Sequence, residues 1–140
     1  MIGINPRALR LLNIWGREGI LVAVCFFEHL GLELRLVNIY GPYHNRLEFW
    51  EIVLKSLFMQ ADNIIMGGDL KFSIDLEESW GSHAQFNSIT TLFGPLMEQH
   101  HFINISMPHH RPTWRNGRTR EAMLTRRLDR FLLKESLLDK

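Results

Sequence analysis

Apolar and polar positions divide the chain into a few short periodic stretches. Ile20–Phe27 is a nearly unbroken run of Val, Ile, Leu and Phe, the composition of a buried strand. In Leu32–Tyr40, Leu32, Leu34 and Leu36 alternate with Glu33, Arg35 and Val37, the period of a half-buried strand. The break Glu28–Gly31 is hairpin-sized and predicts antiparallel pairing. After Gly41-Pro42, Leu47, Trp50, Leu54, Leu57, Phe58 and Ala61 recur at steps of three and four, predicting one apolar helical stripe. Glu51 and Lys55 sit four apart on its polar side in the favourable order. Ile64–Met66 predicts a short core strand. Phe86–Gln99 predicts a helix through Ile89, Leu92, Phe93, Leu96 and Met97, in which Gly94-Pro95 imposes a kink or a late start. Thr113-Trp114 and Leu128–Leu133 predict two more strands around a polar loop.

Residues 1–19 show no clean period, with Arg7, Arg10 and Arg17 among scattered leucines. They read as a poorly defined lead-in to one domain over residues 20–140. The order of elements implies a layered α/β domain with mostly antiparallel sheets flanked by helices.

Composition narrows this picture only a little. The chain has 140 residues, 46% hydrophobic and 22% charged, ordinary for a soluble domain with a real core. Net charge is +1, so global charge points to no partner. The single cysteine, Cys25, lies inside an apolar run, which suits a buried thiol and a reducing compartment. No apolar segment reaches membrane-spanning length and Met1–Gly19 lacks a secretory pattern, which points to an intracellular, nuclear or cytoplasmic location. Asn104-Ile105-Ser106 is a formal glycosylation sequon that has no use without a secretory route.

The stretch with chemical content is Asn63–Asp75, where the apolar run ends in Gly67-Gly68-Asp69. Two glycines permit close backbone approach, and a carboxylate at the end of a core strand is costly unless something uses it. Metal ligation and water activation begin from such an acid. Capping of a turn is the alternative, and both remain open at this point.

Four short motifs occur in order: Asn38-Ile39-Tyr40-Gly41-Pro42, Gly67-Gly68-Asp69-Leu70, Pro112-Thr113-Trp114 and Arg127-Leu128-Asp129-Arg130-Phe131-Leu132. Together they resemble the endonuclease/exonuclease/phosphatase superfamily, specifically the endonuclease domains of plant LINE-type non-LTR retrotransposons, over roughly Ile20 to Leu133. The resemblance implies a partial four-layer α/β-sandwich, with two sheets face to face and helices outside. It also implies phosphodiester hydrolysis supported by magnesium or manganese in intact relatives. Carried over, Asp69 resembles the aspartate that orients or deprotonates water. Tyr40 resembles the tyrosine that reaches the phosphate or assists the leaving group, and Asp129 the aspartate that orients a catalytic histidine. Such groups are needed because the reaction adds negative charge to an anionic phosphate.

The departures cut against catalysis. Lys71 stands where the family has asparagine, so an amide that donates and accepts is replaced by an ammonium that only donates. It can attract phosphate, or it can pair with Asp69 and disfavour a nearby cation. Tyr43 occupies another asparagine position. The resemblance places the metal-binding glutamate before Met1 and the final Ser-Asp-His after Lys140, and Glu18 has no matching context. The metal ligands are therefore unassigned, with Asp75, Glu77 and Glu78 as the nearby acids. His83, His100, His101, His109 and His110 lack a zinc-type spacing and read as structural or exposed.

Local charge is more informative than the total. Arg111, Arg115, Arg118, Arg120, Arg126, Arg127 and Arg130 stand against Glu121 and Asp129, seven minus two, or five net positive charges. With Trp114 as a stacking surface, the segment suits weak, sequence-independent, salt-sensitive DNA binding; a merely solvated loop is the alternative. Three functions follow for comparison: a magnesium-dependent endonuclease, a non-catalytic nucleic-acid-binding remnant, and a phosphatase on the same scaffold. Losing an acid–base group costs about 10²–10⁴ in rate and losing a charge-stabilising donor about 10²–10³. The resemblance with these losses implies a nuclease domain by descent with activity near background. Unpaired sheet edges are expected to favour self-association.

Overall fold

The computed structural model describes residues 2–81, 88–105 and 111–140. Its elements are β1 (Leu9–Arg17), β2 (Ile20–Phe27), β3 (Leu32–Tyr40), α1 (Arg46–Lys55), β4 (Ile64–Asp69), β5 (Ser79–Gly81), α2 (Ser88–Gln99), β6 (Phe102–Ile105), β7 (Trp114–Arg115), β8 (Leu124–Arg126) and β9 (Asp129–Lys134). They build a six-stranded sheet in the order β1-β2-β3-β4-β9-β6 and a three-stranded sheet in the order β5-β8-β7. The β3–β4 pair is parallel and the other ladders are antiparallel, so the expected mixed α/β architecture is present.

The hairpin of β2 and β3 forms as its pattern predicts, turning at Gly31 with φ 62°. The lead-in does not stay irregular: Leu9–Arg17 pairs with β2 along its length. Its period is hidden because the strand is exposed almost throughout and its register slips between Leu11 and Asn13. Helix α1 is shorter than its stripe suggests. It stops at Lys55, and the next turn of chain, Leu57–Gln60, is a 3₁₀ helix. Trp50, Val53 and Leu54 point inward with Met59, while Leu47 and Leu57 face solvent. Helix α2 begins before Gly94-Pro95 and runs through both, so the late start is ruled out. A proline inside a helix costs about 3 kcal/mol, and burial of Ile89, Phe93 and Met97 offsets it.

Cross-strand partners sort the large sheet into two faces. Ile20, Val22, Val37, Ile39, Ile64, Met66 and Leu132 meet both helices in a single core. Trp50, Phe72 and Phe93 form its centre, edge to face at centroid distances of 5.6, 5.0 and 4.9 Å. The opposite face carries a row of six cross-strand partners, Ile14, Ala23, Leu36, Ile65, Leu133 and Ile103. Beside it, Phe131 lies over Gly67 and remains 63% exposed.

Candidate nuclease-type site at the strand ends

Three strand termini are knitted together by backbone bonds. The Gly41 N–H donates to the Asp69 carbonyl at 2.7 Å, and the Leu70 N–H to the Leu128 carbonyl at 3.0 Å. This closeness depends on glycine. A Cβ on Gly41 would lie 2.5 Å from the Leu70 oxygen, and one on Gly68, at φ 140°, would lie 1.9 Å from the Ile39 oxygen. The result is a row at one sheet rim: Tyr40 partners Asp69, and Asp69 partners Asp129. Thr113 anchors the Asp129 end, its Oγ1 accepting from the Leu128 and Asp129 N–H groups at 2.9 and 3.1 Å. Its position in the Pro-Thr-Trp motif was the available signal for that role.

Lys71 governs the row. It adopts φ 65°, a left-handed conformation that turns its chain back over Asp69. Its Nζ donates to Asp69 Oδ2 at 2.5 Å and to Tyr43 Oη at 3.3 Å, and lies 4.1 Å from the centre of the Tyr40 ring. The Lys71 N–H takes the other carboxylate oxygen, Oδ1, at 3.0 Å. Arg46 braces the turn from α1 by donating to the Lys71 carbonyl at 3.0 Å. Burial pulls the Lys71 ammonium toward neutrality, but hydrogen bonds to Asp69, Tyr40 and Tyr43 outweigh it and push its pKa up. The ammonium therefore stays charged through the neutral range. Tyr43, noted in the sequence only as a departure, is a wall of this cage.

These residues do not fit a divalent metal. Both oxygens of Asp69 are taken by Lys71, whose fixed cation repels a second one. Among the described residues no group of three His, Cys, Asp or Glu side chains stands close enough to hold an ion. Asp75 and Glu78 form a capping box on the 3₁₀ turn Leu76–Glu78, with Asp75 also accepting from the Glu77 N–H. His83, His109 and His110, and Ser106 of the sequon, lie outside the described residues. His101 is exposed beside Glu135, and the His100 carbonyl accepts from Lys134 Nζ at 2.5 Å.

The seven arginines separate into two groups. Arg127 and Arg130 are buried, at 7% and 2% exposure, around the carboxylate of Glu78. Arg127 Nη1 donates to Glu78 Oε1 at 3.2 Å, Arg130 Nη1 to the same oxygen at 2.8 Å, and Arg130 Nη2 to Oε2. Desolvation alone would raise the Glu78 pKa, but the Arg130 guanidinium, with help from Asp75 N–H and Arg127, carries it below the usual carboxylate range. This triad joins the turn before β5 to the strands β8 and β9. It removes Arg127 and Arg130 from the expected DNA-facing set, because a guanidinium neutralised inside the protein cannot also neutralise phosphate. Arg111, Arg115, Arg118 and Arg120 are exposed, as is Trp114, and Arg126 is half-buried on β8. Asn116 shapes their loop: its Oδ1 accepts from Arg118 and Leu124 N–H, and its Nδ2 donates to the Ala122 carbonyl at 2.9 Å.

The order of the large sheet and the flanking small sheet give the chain a fold of the endonuclease/exonuclease/phosphatase type. Among solved structures, the chain is similar to the endonuclease domain of TRAS1, a telomere-specific non-LTR retrotransposon, at TM-score 0.71 and 16% identity, covering 94% of this chain and 58% of that one. It is also similar to D. rerio TDP2 complexed with single strand DNA product, at TM-score 0.59 and 16% identity, covering 91% and 54%. A D. rerio TDP2 humanized by 14 mutations gives TM-score 0.60 and 17% identity, covering 91% and 53%. The chain thus spans just over half the length of these structures. No family model matches the sequence, and no curated protein does. Among the described residues, no helix is long and apolar enough to cross a membrane.

Proposed function

We propose that the chain is a nuclease-type domain, of retrotransposon endonuclease descent, that holds the DNA backbone without hydrolysing it. The observation that carries this reading is the Lys71 ammonium seated 2.5 Å from the Asp69 carboxylate. With both oxygens accepting from Lys71, the Asp69 carboxylate is not free to orient an attacking water, and its neighbouring Asp129 has no hydrogen-bond or ion-pair partner for its carboxylate among the described residues. The exposed arginines of the segment around Thr113 supply the attraction to phosphate, in a nuclear or cytoplasmic setting where such a partner exists. Magnesium belongs to this reading as the cofactor of relatives, not of this site.

Plasmid nicking with magnesium or manganese tests the catalytic half. Neither the chain as given nor Lys71→Asn is expected to nick. Metal-dependent nicking by Lys71→Asn that disappears with Asp69→Ala added would overturn it, and would mean that Asp75, Glu77 or Glu78 had taken up the metal. The binding half is tested by salt. Affinity for duplex DNA should fall by a log–log slope of about −0.9 per phosphate engaged, and Arg118→Ala should reduce that slope by about 1. Salt-independent binding would remove the nucleic-acid reading.

A further inference from the structure

Beyond Tyr40, on the side away from Asp129, a cleft of about 610 Å³ opens between the β1–β2 turn and the start of α1. Its body is apolar, walled by Tyr40, Tyr43, Phe49 and Ile52, and its lip carries both signs of charge, among them Arg17 and Glu48. The size is within the range of small-ligand sites, roughly 300–1,000 Å³. We infer that this cleft receives an unpaired nucleobase of a strand whose phosphates run along the rim.

Three observations select that class of ligand. First, Tyr40 and Tyr43 line the cleft and stay well exposed even with Lys71 over each ring, and aromatic rings hold bases by stacking whatever their identity. Second, the lip carries one net negative charge, Glu18 and Glu48 against Arg17, so it turns a phosphate away and accepts from the N–H edge of a neutral ligand. Third, Tyr40 is shared with the rim row. A line therefore runs from the cleft through Tyr40, Asp69 and Asp129 to Thr113, and Trp114 and the exposed arginines belong to the segment around it. A backbone laid along that line brings one base to the cleft and its phosphates to the arginines. A stacked, paired base has both faces covered and cannot enter. The site therefore favours single-stranded over duplex DNA, a preference that rests on the DNA-binding reading above and refines it.

The test compares three labelled probes at one low salt concentration: an oligothymidylate of about twelve nucleotides, its duplex, and an abasic strand of the same length. The chain is expected to bind oligothymidylate about tenfold more tightly than the abasic strand, which has the same phosphates and no bases. Tyr43→Ala and Ile52→Asp, both at exposed positions, should abolish that difference, and Tyr43→Phe should keep it. Equal affinity for thymidylate and abasic strands, or a difference that survives both variants, overturns the cleft. If Arg118→Ala still weakens both strands in that case, DNA binding by the arginines stands without it. Failure of every probe to bind overturns both readings at once.

Discussion

The two faces of the six-stranded sheet are built from the same strands and end in different states. On one face, Val22, Val37, Met66 and Leu132 are sealed under α1 and α2 around Trp50. On the other, Ala23, Cys25 and Leu34 are buried outside that core, while Ile14 is 52% exposed and Phe131 63%. Burial is continuous under the helices and patchy on the face away from them. An apolar position contributes to stability when something packs on it, and the strand alternation alone supplies candidates for two cores while the helices complete one.

This contrast is sharpest in the cost of truncation. Trp50→Ala empties the centre of the covered face and is expected to cost about 4 kcal/mol, read as a lower midpoint in denaturant unfolding. Glu78→Ala comes next, at roughly 3 kcal/mol or more, because it strands two buried guanidinium groups. Its pH dependence has a defined sign. The folded pKa of Glu78 is lowered, so its stabilisation is complete above the ordinary carboxylate value and is lost as pH falls through the lowered one. Unfolding midpoints followed from neutral to acidic pH should therefore drop in the parent chain and drop less in Glu78→Ala. The smallest effects belong to the exposed positions of the other face: Phe131→Ala and Ile14→Ser should each shift stability by about 0.5 kcal/mol or less. Losses there as large as at Trp50 would mean that the second face is covered, and equal losses on both faces would end the comparison.

The sequence made the covered half of the molecule easiest to read. The β2–β3 hairpin, the core strand into Asp69 and the order of Tyr40, Asp69 and Asp129 all follow from period, glycine placement and motif order. Three things were hidden for separate reasons. Strand β1 buries neither face, so it leaves no alternation to find. Arg127 and Arg130 read as surface charge because their partner, Glu78, lies 49 and 52 residues away. The pairing of Lys71 with Asp69 was one of two open choices; what decided it was the left-handed backbone at Lys71, which no composition reveals. Arg118 and Arg120, in contrast, lie on the polar loop the sequence predicts, and Trp114 on the strand beside it.

Strand β9 is late in the chain yet sits inside the sheet, between β4 and β6. Its ladder with β4 closes across more than sixty residues, from Ile65 to Leu133. Until that segment arrives, β4 has one free edge, β6 has no neighbour, and the Glu78 carboxylate has no guanidinium to meet. Loop closure of that length is slow, and β pairings of this kind set the pace of folding. The N-terminal hairpin can form within microseconds of being made, whereas the rim waits for β9. Time, for this chain, is spent almost entirely on one insertion.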